Sequence, residues 1–184
     1  MSAMTVMPRG PGEWTIHDLA PLPDDGLQYE LLDGILLVSP SPTLTHQRAV
    51  RQLFKALDAR CPAALEIFFA PLDWRPDQRT SLQPDLLVVR RDDASTTSLV
   101  AVPLLVVEVL SASTRRKDRI LKAAAYADGG VASYWLVDPE QPSIDALALV
   151  DGGYVPLGEA IGDQVLTLDQ PFPVTVRPAD LLSR

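Results

Sequence analysis

Apolar and polar positions follow two rhythms along this chain, and the changes of rhythm mark its elements. Residues 29–32 and 35–38 are short apolar runs separated by Asp33-Gly34. A two-residue hairpin turn prefers that dipeptide because glycine accepts a positive φ, so a β-hairpin is predicted. Pro40 and Pro42 stop its second strand. Thr43 or Thr45 then caps a helix in which Ala49, Val50, Leu53, Phe54 and Leu57 fall at helical spacing, ending near Cys61-Pro62. Residues 65–69 read as a strand, 72–74 as a short further one, and 86–89 as a buried strand introduced by Pro84-Asp85. The run 104–110 is nearly all branched and apolar, interrupted only by Glu108. That pattern belongs to a strand covered on both faces and predicts the centre of a sheet.

Ser113 or Thr114 is expected to cap a second helix reaching about Ala127 and closed by Asp128-Gly129-Gly130, with a strand following over 134–137. Upstream, Thr15 followed by Asp18 has the spacing of a loose capping box and predicts a short helix over 16–20. Beyond Ser143 the strands 144–150 and 154–157, joined by Asp151-Gly152-Gly153, predict a peripheral β-meander followed by a last short strand and helix. No repeat or low-complexity linker divides the chain. The expectation is a flexible tail over 1–12 and one α/β (α+β) domain over 13–184.

Composition sharpens this picture in three ways. An apolar fraction of 47% with 22% charged residues is that of a globular domain. The longest uncharged apolar stretch, 99–107, is far short of the roughly 20 residues that cross a bilayer. Residues 1–12 lack the basic start and apolar core of an export signal, and a single cysteine, Cys61, excludes an intramolecular disulfide framework, so a cytoplasmic setting is expected. A net charge of −8 argues against a protein that coats nucleic acid. The charge is uneven, however: residues 48–122 hold 13 basic against 9 acidic side chains, whereas 123–176 hold no Lys or Arg against 8 acidic ones. Any phosphate-facing surface therefore lies in the middle of the chain, where Arg75, Arg79, Arg90, Arg91, Arg115, Arg116 and Arg119 are candidates.

Glu108 is the most informative residue, because an ionised carboxylate in a strand buried on both faces costs several kcal/mol unless paired or bound to a cation. Either an arginine such as Arg115 or Arg119 pairs with it, or the strand end reaches solvent there, or it holds a metal. Asp85 heads another apolar strand, and if the two strands lie side by side, two carboxylates meet at one edge of the sheet. Like charges at that range raise each other's pKa unless a cation intervenes, and hard oxygen ligands suit Mg²⁺ or Mn²⁺. In the following helix Asp118, Lys122 and Tyr126 are spaced i, i+4, i+8 and share one face.

Taken in order, Tyr29-Glu30-Leu31-Leu32-Asp33-Gly34, Ser39-Pro40 with His46-Gln47, Pro84-Asp85, Val107-Glu108-Val109-Leu110-Ser111, then Asp118, Lys122 and Tyr126, and finally Tyr134-Trp135-Leu136-Val137-Asp138 resemble the Uma family of restriction-endonuclease-like proteins. That family is placed in the PD-(D/E)XK nuclease superfamily, and the likeness covers most of the chain. The resemblance implies a restriction-endonuclease-like core: a central mixed β-sheet flanked by helices. It implies that Asp85 and Glu108 are metal ligands, joined by the Val109 carbonyl, that Glu30 is an additional catalytic acid, and that His46 has a secondary role with Asp118 and Tyr126. It further implies Mg²⁺ or Mn²⁺ as cofactor, DNA as partner, and phosphodiester hydrolysis, with a homodimer expected for paired cuts. The chain departs from the superfamily at one point. The lysine two residues after the glutamate is replaced by Leu110, and the resemblance shifts that role to Lys122. A straight α-helix from Thr114 would put Lys122 roughly 12 Å along its axis, so the helix must begin later or cross back over the site. A catalytically inactive binding protein and a hydrolase of a small phosphorylated substrate are the competing readings. On the nuclease reading, alanine at Asp85, Glu108 or Lys122 is expected to abolish cleavage with the fold intact.

Overall fold

The computed structural model describes residues 10–94, 99–111 and 115–183. Its strands are β1 (Gln28–Leu32), β2 (Ile35–Ser39), β3 (Leu65–Phe69), β4 (Trp74–Asp77), β5 (Thr80–Leu82), β6 (Leu86–Arg90), β7 (Leu105–Val109), β8 (Ser133–Asp138), β9 (Ser143–Val150), β10 (Gly153–Ile161), β11 (Leu166–Leu168) and β12 (Val174–Val176). The helices are α1 (Leu44–Asp58) and α2 (Ala123–Asp128), the latter preceded directly by a π-helical segment, Lys117–Lys122. No helix among the described residues is long and apolar enough to cross a membrane.

The centre is a six-stranded mixed sheet in the order β10-β9-β8-β7-β6-β3, in which only β7 and β8 run parallel. All five residues of β7 are buried, as its continuous apolar run predicts. Strand parity sorts the core into two layers. Leu86, Val88, Leu105, Val107, Trp135 and Val137 face α1 and β11/β12, whose Ala49, Leu53, Leu57, Leu168 and Val174 pack against them. Leu87, Val89, Val106, Tyr134 and Leu136 face the other way, toward Tyr126, Trp74 and Leu82. Asp85 and Glu108 share the parity of this second set, which turns both carboxylates toward the π-helical segment.

A second sheet, β2-β1-β5-β4, flanks the first. Its β1/β2 hairpin has the predicted register, with Leu32 opposite Ile35 and Asp33 and Gly34 at φ of 45° and 75°. Glycine is required at 34 twice over, because a Cβ there would lie 2.6 Å from the Gly12 carbonyl oxygen. Gly12 docks onto this turn by donating to the Gly34 carbonyl. Of the tail expected over 1–12, residues 1–9 lie outside the described residues, as do Ser113 and Thr114, the expected caps of the second helix.

Four expectations are corrected. The strand expected over 72–74 is β4, displaced toward the C-terminus and running through Pro76 as far as Asp77. Its partner β5 was not anticipated, because Thr80 and Ser81 hide a fully buried strand in polar composition. The lead-in helix is a single 3₁₀ turn, Ile16–Asp18, in which the Asp18 carboxylate accepts from the Thr15 amide and hydroxyl. The expected meander is not peripheral: β9 and β10 extend the central sheet, and the final strand is a hairpin pair, β11/β12. At α1 the cap is Thr43, whose side chain accepts from the His46 amide.

Gly129 ends α2 against the Trp74 ring, and a Cβ added there would lie 2.4 Å from Cη2. Trp74 is wholly buried and hydrogen-bonded through its indole N–H to the Ala101 carbonyl, so it has little room to yield. Gly129→Ala is therefore expected to destabilise the protein by about 1–3 kcal/mol through overpacking, measured by urea unfolding.

Candidate active site

The site lies where β6 and β7 end. The antiparallel register sets Leu86 opposite Val107, and extending it by one residue sets Asp85 opposite Glu108. The Asp85 carboxylate is fixed through Oδ2, which accepts from the Val109 amide at 2.7 Å and faces His46 Nε2 at 3.1 Å. Glu108 is fixed through Oε1, which accepts from Lys122 Nζ at 2.8 Å and the Tyr126 hydroxyl at 2.7 Å. Among the described residues Asp85 Oδ1 and Glu108 Oε2 take no hydrogen bond, and both residues line a cavity of about 90 Å³.

Glu30, on β1, reaches the same place from the second sheet. Its Oε1 lies 2.7 Å from Lys122 Nζ and accepts from the Gln83 amide, while its Oε2 accepts from Lys117 Nζ at 2.8 Å. Lys117 also donates to the Ser39 hydroxyl. Asp118 stands 3.9 Å from Lys122, completing a nearly sealed charge cluster in which Glu30, Glu108, Asp118 and Lys122 are each at most 3% exposed.

The distance problem posed by Lys122 is solved by the π-helical segment. On an α-helix, residues five apart point about 140° away from each other, so Lys117 and Lys122 would face different directions. Widening the turn to i→i+5 closure brings them onto one side, where both grip Glu30. The helix crosses over the site instead of leading away from it. Asp118, Lys122 and Tyr126 share a buried face, as their spacing predicts. Lys117 was missed because the spacing argument assumed α-helical geometry throughout. Gln83 carries no sequence signal of its role, and Ser39, though part of the run that carries the family resemblance, gives no sign in the sequence that it meets Lys117.

Electrostatics follow from burial. Burial pushes the Glu108 carboxyl well above the usual carboxylate range, opposed by Lys122 and reinforced by Asp118, Asp85 and Glu30. Glu30 moves the other way: burial raises it, but Lys122 and Lys117 together pull it below its ordinary value. Lys122 is held firmly charged, since Glu108, Glu30 and Asp118 outweigh its burial. At His46 burial disfavours the charged ring, yet the bond and charge of Asp85, with Asp118 and the Val109 backbone, lift its pKa above the ordinary value.

The expected arginines are mostly spoken for. Arg75 pairs with Asp73, Arg79 with Asp33, Arg91 with Glu66, Arg115 with Asp138 and Arg119 with Asp145. Glu108 is thus not paired with Arg115 or Arg119; its cation is Lys122.

A family model described as "Uma2: Putative restriction endonuclease" matches residues 16–181. The chain belongs to the Uma2 family. A solved structure similar to this Uma2 chain is titled a putative nuclease belonging to DUF820 from Anabaena variabilis ATCC 29413; it aligns with a TM-score of 0.75 and 15% identity over 92% of this chain and 98% of that one. At that identity the likeness speaks for the fold, a nuclease-like α+β architecture. No curated protein matches the chain.

The divalent cation that the family implies can be tested against these side chains. Among the described residues no group of three or more acidic, His or Cys side chains is arranged to hold a metal. Two carboxylates with one uncommitted oxygen each nevertheless meet what Mg²⁺ asks of a protein, since it keeps several waters and takes only one or two carboxylates. The donor set fits on those terms, and Glu30, with both oxygens engaged, belongs to the lysines rather than to a metal.

Two predictions follow from the cluster. Removing Lys122 leaves Glu108 buried with only the Tyr126 hydroxyl, so Lys122→Ala should cost about 3–5 kcal/mol of stability in urea unfolding at neutral pH. That revises the expectation of an intact fold for this variant. At the end of β8, Asp138 is held below the ordinary carboxylate value: burial opposes the shift, and the Arg115 bond and the Gln141 and Glu140 amides overcome it. A depressed folded pKa contributes stability above the unfolded value that disappears as pH falls through the folded one. Asp138→Asn should therefore lower the melting temperature at pH 7, with the gap to the native protein narrowing below about pH 4.

Proposed function

We propose that this protein is a metal-dependent endonuclease that hydrolyses DNA phosphodiester bonds, with Asp85, Glu108 and the Val109 carbonyl holding Mg²⁺ or Mn²⁺. The observation that carries this reading is the facing pair Asp85 and Glu108, each with one free oxygen, beside a buried ammonium. Four carboxyl groups, Glu30, Asp85, Glu108 and Asp118, meet two ammonium groups, Lys117 and Lys122, and the His46 ring, so a dication would favour the ionised form of Glu108 that burial opposes. When bound, such an ion supplies Lewis-acid polarisation of the phosphodiester and lowers the pKa of a water.

The side chains have separable tasks. Lys122 and Tyr126 hold Glu108 by Oε1 and so leave Oε2 toward the cavity. His46 and the Val109 amide do the same for Asp85. Glu30 positions both lysines. Lys117, whose side chain is 15% exposed against 3% for Lys122, is the cation that substrate can meet, and it would stabilise charge developing on phosphorus. An inactive binding protein is favoured by the acidic balance and by the lack of a lysine at 110, and Lys122 at 2.8 Å from Glu108 answers the second of these. Were both strands of a duplex to be cut together, a homodimer would be the assembly required.

Supercoiled plasmid and single-stranded DNA incubated with Mg²⁺, Mn²⁺ or EDTA test the reading, with Asp85→Asn beside the native protein. Cleavage that needs a metal and falls to background in the variant, while circular dichroism and melting temperature are unchanged, is the expected outcome. Cleavage surviving in EDTA, or undiminished in Asp85→Asn, would overturn it.

A further inference from the structure

The cations of this protein divide sharply between those with an acidic partner and those without. Outside α1 most are paired: Arg75, Arg79, Arg91, Arg115, Lys117, Arg119, Lys122 and Arg177 all have a carboxylate within 4.0 Å. On α1, Arg48, Arg51 and Lys55 are exposed and have no salt-bridge partner among the described residues. With Gln47 they fall within an arc of about 100° on the helix surface, opposite the buried stripe of Ala49, Leu53 and Leu57. The helix begins at the site, since His46 faces Asp85, and Gln47 one residue on lines a groove of about 800 Å³ that opens onto Asp85.

That groove shares Gln28, Ser41, Pro42, Gln83 and Asp85 with the small cavity, so the two adjoin. Its walls mix apolar Leu19, Leu22, Leu27 and Pro71 and the Tyr29 ring with the carboxylates of Asp24, Asp73 and Asp85, and its one arginine, Arg75, is already held by Asp73. Such walls suit bases better than phosphates, whereas the stripe on α1 suits phosphates. The carboxylates themselves are recessed, Asp85 at 14% and Glu108 at 4% side-chain exposure. A duplex presents its phosphates on a stiff cylinder; a lone strand can bend a phosphate inward.

We infer that this groove of mixed lining and the Arg48/Arg51/Lys55 stripe of α1 form one track for a single strand of DNA, bases in the groove and backbone along the helix. This rests on the nuclease reading for its purpose and deepens it by naming the form of the substrate. Base stacking on apolar and aromatic walls combined with a cationic backbone track is the usual physics of single-strand binding.

The test is fluorescence anisotropy with a labelled oligothymidylate and, in parallel, a duplex of equal length, in EDTA over a series of NaCl concentrations. Ala is the best helix former, so the triple variant Arg48→Ala/Arg51→Ala/Lys55→Ala keeps α1, verified by circular dichroism. Losing three phosphate contacts should weaken single-strand binding about tenfold or more and lower the slope of log K against log salt by about 2. A control variant, Arg177→Ala, removes an exposed charge already paired with Asp180 and should leave the slope nearly unchanged. Equal slopes for the triple variant and the native protein, an equal loss in the control, or tighter binding of the duplex would each overturn the inference. Because metal is absent, the result is independent of catalysis. Cleavage without dependence on Asp85 would sink the nuclease reading while leaving the track standing, and a flat slope would do the reverse.

Discussion

The ammonium of Lys122 is the point on which the layers of this molecule meet. It lies within 2.8 Å of Glu108 from the central sheet and 2.7 Å of Glu30 from the flanking sheet, and Asp118 stands one helical turn away. An unpaired charge at that depth would cost several kcal/mol, so the helix, the β1 strand and the end of β7 are held in one mutual arrangement or the protein carries that penalty. Well-packed apolar side chains of similar volume would join the same layers at least as firmly. Charge retained at such a junction is better accounted for by what it does to the adjoining cavity, where it orients two carboxylates and leaves one oxygen of each uncommitted.

The π-helical segment makes this junction possible. A wider turn costs hydrogen-bond geometry and leaves carbonyls irregularly placed, and one of them, from Asp118, is taken up by the Tyr134 hydroxyl at 2.9 Å. Arg115 is tied to Asp138 at the end of β8, so the segment is anchored before it begins to widen. In return, two lysines five residues apart point the same way. Tyr126, one turn into the regular α2, then reaches Glu108 from a wholly buried position. Sequence spacing, local distortion and site chemistry are therefore one chain of cause.

Much of this was legible in the sequence, for reasons that differ by residue. The Asp33-Gly34 turn, the amphipathic α1 and the continuous apolar run of β7 are local signals, and each holds in the structure. Glu108 stood out because a carboxylate breaks an apolar run, and strand parity alone turns it to the same face as Asp85. The fact that three other elements converge on that face is not local. In the segment 74–82 only the short run ending at Trp74 hints at β4 and nothing announces β5, since a proline and two hydroxyl side chains mask strands whose burial comes from tertiary packing. Lys117 was invisible for a geometric reason: the rule of 3.6 residues per turn excluded it, and the rule is broken at that very segment.

The pairing of the arginines also reconciles an acidic protein with a polyanionic substrate. With eight of the fourteen described Lys and Arg side chains already paired with a neighbouring carboxylate, long-range attraction to DNA is weak, and the net charge of −8 opposes it. Binding must then depend on a few unpaired cations at short range and on charge supplied at the cavity itself. A cation held between Asp85 and Glu108 would create positive potential only where the carboxylates converge, so a phosphate is favoured at the site of chemistry and disfavoured over most of the remaining surface. On this argument the acidity of the chain restricts where a strand can rest, and the same four carboxylates that make the cavity repulsive to phosphate when empty are what draw in the ion that reverses its sign.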